Sequence, residues 1–310
     1  MSREMRRYTY GPVLSRRLGR SLGIDLVPYK TCTFDCVYCQ LGRTTNKTVE
    51  RREYLPVRSI LREIEEFSWE RIDYITLAGS GEPTLNSKIG EVIEGIKSIS
   101  STPVAILTNG SLLGMRSLQD EISSADLVIP SIDAASQRIF EMINRPHRSL
   151  RIRSIIEGLR AFRERFSGEI WLEVMLVKGL NDAPDEIELL KSMIEDIGLD
   201  KIQLNTVVRP PCEDWVLPLD EREMRAVCNL FRGRAEIIGV SQAADVGHER
   251  VAEVRSQILE LLGRRPCTIE DVSGTIGLHR NEALKQITIL EKEGLISSRV
   301  FEGVRYFRAR

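Results

Sequence analysis

Residues 72–86 read IDYITLAGSGEPTLN, and residues 89–99 follow as IGEVIEGIKSI. The first part, Ile72 to Gly79, is a short apolar run ending in glycine. The second places Ile89, Val92, Ile93, Ile96 and Ile99 on one face at helical spacing. A buried strand, a glycine-rich turn and an amphipathic helix in that order make one unit of a parallel sheet. The same alternation extends in both directions. Apolar runs recur at Leu22 to Val27, Val104 to Gly110, Leu127 to Asp133, Ile170 to Val177 and Lys201 to Val208. Helical patterns lie between them at Ser59 to Phe67, from Ile155 and from Asp185. The expected fold class is α/β, with about six parallel strands and right-handed crossovers. Pattern alone leaves open a closed barrel, a partial barrel or an open doubly wound sheet.

In such folds ligands bind beyond the carboxyl ends of the strands. Polar and glycine-rich segments stand at those ends here. A cysteine loop follows the first strand, AGSGEPTLN (78–86) the second and TNGS from Thr108 the third. The fourth ends at Ser131, Ile132 and Asp133. The fifth carries Glu173 and ends at Lys178, and the sixth carries Gln203 and Asn205. Turn formation alone explains Gly, Asn and Ser at any one of these loops. Six such loops on one face make that face the expected ligand site.

The cysteine loop reads TCTFDCVYCQLG from Thr31. Three thiolates at Cys32, Cys36 and Cys39 suit three corners of an iron–sulfur cube, leaving one iron open where only three are supplied. Zinc is the rival, but structural zinc takes four ligands. No second cysteine pair appears, and none of the three histidines is close in sequence. The remaining thiols are scattered. Cys228 and Cys267 read as packing residues, while Cys212, after the sixth strand, falls on the ligand face.

The CxxxCxxC spacing, with Tyr38 before the last cysteine, resembles the signature of the radical S-adenosylmethionine (SAM) superfamily. The resemblance implies a radical SAM (β/α) barrel, partial or full. It implies a 4Fe-4S cluster on Cys32, Cys36 and Cys39, with SAM chelated at the open iron. Reductive cleavage of SAM then yields a 5′-deoxyadenosyl radical that abstracts hydrogen from a substrate. On the same basis Gly79, Ser80, Gly81 and Glu82 resemble the loop that binds the methionine amino group, although Ser80 and the shifted glycine depart from the usual pattern. Asn109, Ser131 and Asp133 correspond to ribose and carboxylate contacts. Glu173, Gln203 and Asn205 are further cofactor contacts, Lys178 another candidate, and Tyr38 packs near the adenine. An electron donor such as flavodoxin or ferredoxin is implied as a partner, and anaerobic oxidoreductase chemistry as the activity.

A narrower resemblance covers most of residues 8–220. YGPVLSRRLGRSLGIDLVPYKTCTFDCVYCQLGRTT, AGSGEPTLN, PSIDAAS, NRPH, EVML and LNTVVRPP are similar to the branch holding the wyosine-base (imidazoG) synthases of transfer RNA. Those enzymes have cysteines upstream of the signature for a second cluster. This chain has none before Cys32, so their pyruvate chemistry is not expected and the substrate is its own. RNA or a nucleic-acid-derived molecule is the expected class. Two other functions fit the same motifs: an iron–sulfur-sensing DNA-binding regulator, and a radical activase of a partner protein.

Composition frames these readings. Lys plus Arg is 44 against 45 for Asp plus Glu, which excludes a wholly basic nucleic-acid binder. No apolar run approaches the roughly 18 residues of a membrane span, and the basic start lacks the apolar stretch of a signal peptide. A cytoplasmic protein without membrane contact is expected. Residues 1–240 are assigned to the barrel domain with a basic extension: Arg3, Arg6, Arg7, Arg16, Arg17 and Arg20, interleaved with Tyr8 and Tyr10. That segment suits phosphate contact, and Arg16 and Arg17 suit a cap over the site. Residues 250–310 read as a winged helix-turn-helix: a helix from Val254, a turn at Gly277 to His279, a recognition helix from Arg280 to Glu293, and a hairpin about Glu302 and Gly303. His279, Arg280, Asn281, Lys285, Arg305 and Arg308 are its candidates for DNA or RNA contact. Glu282, Glu291 and Glu293 dilute that field.

Overall fold

A computed structural model describes residues 8–67, 72–209, 211–238, 246–276, 278, 280–301 and 304–310. Arg3, Arg6, Arg7, Gly277, His279, Glu302 and Gly303 lie outside the described residues. Contacts divide the chain into two compact units. One is Pro12–Val240; the other is Ser241–Arg310 with the chain start up to Gly11.

β1 (Thr9–Ser15) spans the division at Gly11 and Pro12; in the larger unit β2 (Gly19–Asp25) is followed by two short strands, β3 (Thr31–Cys32) and β4 (Asn46–Lys47). Strand–helix alternation then runs through α1 (Val57–Glu65), β5 (Tyr74–Ala78), α2 (Ile89–Ile99), β6 (Val104–Thr108), α3 (Arg116–Glu121), β7 (Leu127–Pro130), α4 (Gln137–Asn144) and α5 (Ile152–Arg163). It ends with β8 (Glu169–Leu176), α6 (Pro184–Ile194), β9 (Lys201–Thr206), α7 (Glu221–Leu230) and β10 (Ala235–Ile237). Eight strands form one sheet in the order β1-β2-β5-β6-β7-β8-β9-β10. From β2 to β10 every neighbouring pair is parallel. The helices supply the crossovers that parallel pairing demands. β1 and β10 stand at opposite ends of the strand order, so the architecture is a partial barrel. Pattern reading located the six central strands and missed both ends: β10 has only three residues, and β1 contains Gly11 and Pro12.

Burial explains why these segments are strands. Ile75, Leu77, Val104, Ala105, Ile106, Val128, Leu172, Val174 and Leu204 are all fully buried, as strands covered on both faces must be. Because side chains alternate, one face of the sheet carries Ala105 and Leu107, Leu127 and Ile129, and Trp171. These pack with Tyr74 and with Leu18, from the three-residue turn between β1 and β2. Leu18 is 2% exposed, and such burial contributes about 1.5–3 kcal/mol. That turn thus lies against the amino-terminal ends of the central strands. Farther along the same face the alternation places Asn109, Ser131, Glu173 and Asn205. The face therefore passes from an apolar floor to a polar rim.

In the smaller unit, α8 (Val246–Arg264), α9 (Ile269–Ile276) and α10 (Arg280–Lys292) precede a hairpin of β11 (Ile296–Phe301) and β12 (Val304–Ala309). α8 starts earlier than its sequence pattern indicates and includes Gly263. Ala283, Ile287 and Leu290 on α10, spaced four and three residues apart, meet Ile258, Leu262, Val272, Ile296 and Phe307 in one apolar core. Cys267 belongs to this core, and its backbone exchanges hydrogen bonds with Phe307 at 3.0 and 2.8 Å. No described helix is long and apolar enough to cross a membrane.

Candidate active site

The cysteine loop is anchored by its apolar residues and backbone. Phe34 and Val37 are buried, and Phe34 meets Phe140 of α4 edge to face at 5.3 Å. The amides of Asp35 and Val37 donate to the carbonyls of Asn144 and Ile143 at 3.0 and 2.9 Å. Between these anchors Cys32, Cys36 and Cys39 stay half-buried, and none is in a disulfide. Each sulfur faces nitrogen donors. Cys32 is 3.5 Å from both the Phe34 amide and Asn109 Nδ2. Cys36 is 3.5 Å from Asn144 Nδ2, and Cys39 is 3.1 Å from Lys30 Nζ.

Lys30 is a residue the sequence reading missed. It is 3% exposed and adopts a left-handed backbone, φ 58°. Its amide donates to the Ser80 carbonyl at 2.7 Å, and its carbonyl accepts from Thr45 and Asn46. Burial works against its charge, but the three cysteines outweigh that and hold the ammonium above its ordinary value. The available signal was position: Lys30 is the one basic residue between Arg20 and Arg43.

The Gly79–Glu82 loop docks directly on this structure. A methyl group on Gly81 would lie 1.9 Å from the Thr31 carbonyl oxygen, so only glycine allows the approach. Asp25 accepts from the Ser80 amide at 2.5 Å. Glu82 is 2% exposed. Its Oε1 accepts from the Thr84 amide, Thr84 Oγ1 and Thr108 Oγ1 at 3.0, 2.6 and 2.7 Å, and its Oε2 from the Asn109 amide at 2.7 Å. The carboxylate therefore ties the second loop to the third. Asn109 continues the link through Thr33 Oγ1 at 2.7 Å.

Asp133 is the hub on the other side. Its Oδ2 accepts from Tyr38 Oη at 2.5 Å and Asn144 Nδ2 at 2.6 Å, and its Oδ1 from the Met175 amide at 2.9 Å. Burial pushes its carboxyl up to about 6, against these hydrogen bonds. The same burial, with Asp133 beside it, pushes the Tyr38 phenol well above its ordinary value. Asn144, the first residue of the NRPH segment, thus bridges Asp133 and Cys36. Asn181 fixes the Asp133 carbonyl at 2.7 Å.

Glu173 is bonded by Asn205 Nδ2 at 2.8 Å and Ser131 Oγ at 3.4 Å, and Arg17 lies 3.1 Å away. Burial alone would raise its carboxyl, but Arg17, Asn205 and Arg16 outweigh burial and hold it low. Gln203 is not gathered with the others: its amide donates to Glu236 of β10 at 2.8 Å. Lys178 pairs with Glu223 of α7 at 2.6 Å. Cys212 is half-buried, 3.9 Å from Glu213, and Glu213 binds Arg43 and Arg145. Cys228, on α7, is only half-buried, with its sulfur 3.3 Å from the Ala235 carbonyl.

A profile of the Radical SAM superfamily matches residues 26–190, and the chain belongs to that superfamily. Among curated proteins, a UPF0026 protein of Methanocaldococcus jannaschii is 37% identical over 242 residues, 77% of this chain and 74% of that protein. A UPF0026 protein of Helicobacter pylori is 31% identical over 277 residues, 87% of this chain and 88% of the relative. A Brachyspira hyodysenteriae protein named GTPase Obg is 35% identical over 299 residues; this chain spans 44% of its length. In fold, the chain is similar to a radical SAM methyltransferase from Sphaerobacter thermophilus, at TM-score 0.53 and 16% identity over 70% of this chain and 65% of that one. It is likewise similar to Streptococcus suis SuiB bound to S-adenosylmethionine, at TM-score 0.53 and 15% identity over 70% of this chain and 50% of that one.

The superfamily comprises enzymes that use a 4Fe-4S cluster and SAM. The donor set fits that pair. Nitrogen donors surround all three sulfurs, as thiolate acceptors require. Burial, reinforced by Glu82, pushes the Cys32 thiol up to about 12; a cationic centre coordinated there would supply the opposing charge that a thiolate needs. Among the described residues no three His, Cys, Asp or Glu side chains are gathered as a single metal ion requires.

Proposed function

We propose that this protein is a radical SAM enzyme with one site-differentiated cluster on Cys32, Cys36 and Cys39, acting on RNA or a nucleic-acid-derived substrate. The observation that carries this reading is the convergence of those cysteines with Glu82, Asn109 and Asp133 at the carboxyl ends of β2, β5, β6 and β7. When bound, the cluster supplies one electron to cleave the S–C5′ bond of SAM, generating a radical for hydrogen abstraction. The chain's own residues prepare that site. Tyr38, held by Asp133, orients the loop between Cys36 and Cys39. Glu82 fixes the second and third loops so that their backbones present a rigid edge to the cofactor. Ser131, Glu173 and Asn205 form a bonded polar set on the neighbouring strands that orients the cofactor or substrate. The protein works in the cytoplasm with a small electron-transfer partner such as flavodoxin or ferredoxin.

Residues 250–310 are read here as a winged helix. Three of its candidate contact residues are paired internally: Arg280 with Glu270 at 2.9 Å, Lys285 with Glu282 at 3.3 Å and Arg305 with Glu291 at 2.9 Å. This favours a modest auxiliary contact over tight sequence-selective DNA binding, and so favours the enzyme over the regulator. Anaerobic reconstitution should give about four irons and four sulfides per chain, and a reductant should produce 5′-deoxyadenosine. Alanine at all three cysteines should abolish both. A reconstituted wild type that forms no 5′-deoxyadenosine overturns the catalytic reading. A gel shift at defined salt tests the regulator.

A further inference from the structure

The hairpin of the smaller unit has two unlike faces, and its register sets them. Ile296 opposes Ala309, Ser298 opposes Phe307 and Val300 opposes Arg305, so these residues share one face. That face turns to the core. Ile296 and Phe307 are buried there. On the same side Glu291 of α10 accepts from Ser298 Oγ at 2.6 Å and pairs with Arg305 at 2.9 Å. Arg305 also lies 5.2 Å from the centre of the Phe307 ring. Its charge is therefore answered on the inner side.

The outer face follows by alternation. Ser297 opposes Arg308 and Arg299 opposes Tyr306, and Arg310 continues the series past Arg308. Arg299, Arg308 and Arg310 are exposed, and Tyr306 is half-buried. Among the described residues no side-chain hydrogen bond or ion pair engages these three arginines. Neither β11 nor β12 contains an acidic residue. Glu291 and Glu293, which dilute the basic field in the sequence, are engaged by Arg305 and by Arg255 of α8. Tyr306 has Arg299 directly across the ladder, about 4.5–5.5 Å away at Cβ, and Arg308 about 7 Å along its own strand. An aromatic ring flanked by unpaired guanidiniums on an open sheet face can stack a base and grip the phosphates beside it.

We infer that the outer face of this hairpin, through Tyr306, Arg299 and Arg308, binds a single strand of RNA, stacking one base and neutralising two phosphates. The inference rests on the reading that the substrate is RNA or nucleic-acid-derived, and names a surface that holds it. It moves the contact away from α10, where Arg280 and Lys285 are paired with Glu270 and Glu282. Such a surface tolerates any sequence, because every base has a π-face.

The test uses the full chain, reconstituted anaerobically, and fluorescence anisotropy of a short oligoadenylate RNA across a salt series. The wild type should bind it more tightly than a duplex DNA of equal length. Tyr306→Ala should weaken binding about five- to a hundredfold, the range for one lost base stack, and Tyr306→Phe should leave it within about twofold. Arg299→Gln with Arg308→Gln should make the slope of log affinity against log salt shallower by about 1.4, two phosphates at about 0.7 each. Wild type that does not bind the RNA overturns the proposal, as does a preference for the duplex. Binding unmoved by Tyr306→Ala, or a slope unmoved by the paired arginine change, also overturns it. Should Tyr306→Ala fail to fold, the exposed arginine pair decides through the slope. 5′-Deoxyadenosine is read in parallel. Its absence from the wild type, with hairpin-dependent RNA binding intact, would sink the enzyme reading and leave this surface standing; its presence without RNA binding would do the reverse.

Discussion

The Lys30 ammonium sits 3.1 Å from the Cys39 sulfur, and Lys30 is 3% exposed. A buried cation is costly unless an anion answers it, and Cys39, in the ligand role proposed for it, would provide that anion as a thiolate. A fixed positive charge at a ligand favours the more negative, reduced state of a cluster. Lys30→Met is expected to lower the cluster midpoint potential by about 59 mV, a tenfold change in a one-electron equilibrium. Lys30→Arg should recover part of it. An EPR-monitored titration reads this independently of turnover, and an unchanged potential at full iron content would refute it.

Glu82→Gln separates structure from cofactor binding. The Glu82 carboxylate accepts from four donors in the protein itself, so the amide should cost about 2–4 kcal/mol of stability through lost charged bonds and a misplaced donor. Denaturant unfolding should show the loss without SAM. Unchanged stability with weakened SAM binding would assign the carboxylate to the methionine ammonium instead.

Asp133 predicts a pH effect of definite sign. Its carboxyl is raised from 3.8 to about 6 in the fold. The folded chain therefore holds this proton more tightly than the unfolded chain. The associated stability is fully present below pH 3.8 and is lost as pH rises through about 6. The difference in unfolding free energy between wild type and Asp133→Asn should fall by about 2 kcal/mol from roughly pH 4.5 to 7. A flat difference across that range would contradict the burial argument.

Gly81→Ala should be damaging because the atom it meets is backbone. The added carbon would lie 1.9 Å from the Thr31 carbonyl oxygen, so the two loops must separate. A loss of about 1–3 kcal/mol is expected, together with poorer iron retention after gel filtration. Native-like melting and full iron retention would show that the loops have slack.

The six central strands were legible because burial on both faces leaves near-continuous Val, Ile and Leu, and the cysteine loop because its spacing is specific. The ends of the sheet were not: in β1, Gly11 and Pro12 interrupt the apolar pattern, and β10 is only three residues long. Lys30, Asn144 and Asp25 escaped for another reason. Each acts across a long sequence separation or through a single bond, on Cys39, on Cys36 with Asp133, and on Ser80. No local periodicity records such a partner. The bonds that Glu82 makes to Thr108 and the Asn109 amide, and Gln203 to Glu236, were equally invisible in the sequence, because they join separate loops and strands.

Leu18 has a consequence for traffic. With that side chain seated among Ala105, Leu127, Ile129 and Trp171, this face of the sheet is filled by apolar packing toward the amino-terminal ends of the strands. A molecule reaching Ser131, Glu173 and Asn205 on the same face comes from the carboxyl ends of the strands or through the gap left where β1 and β10 do not pair.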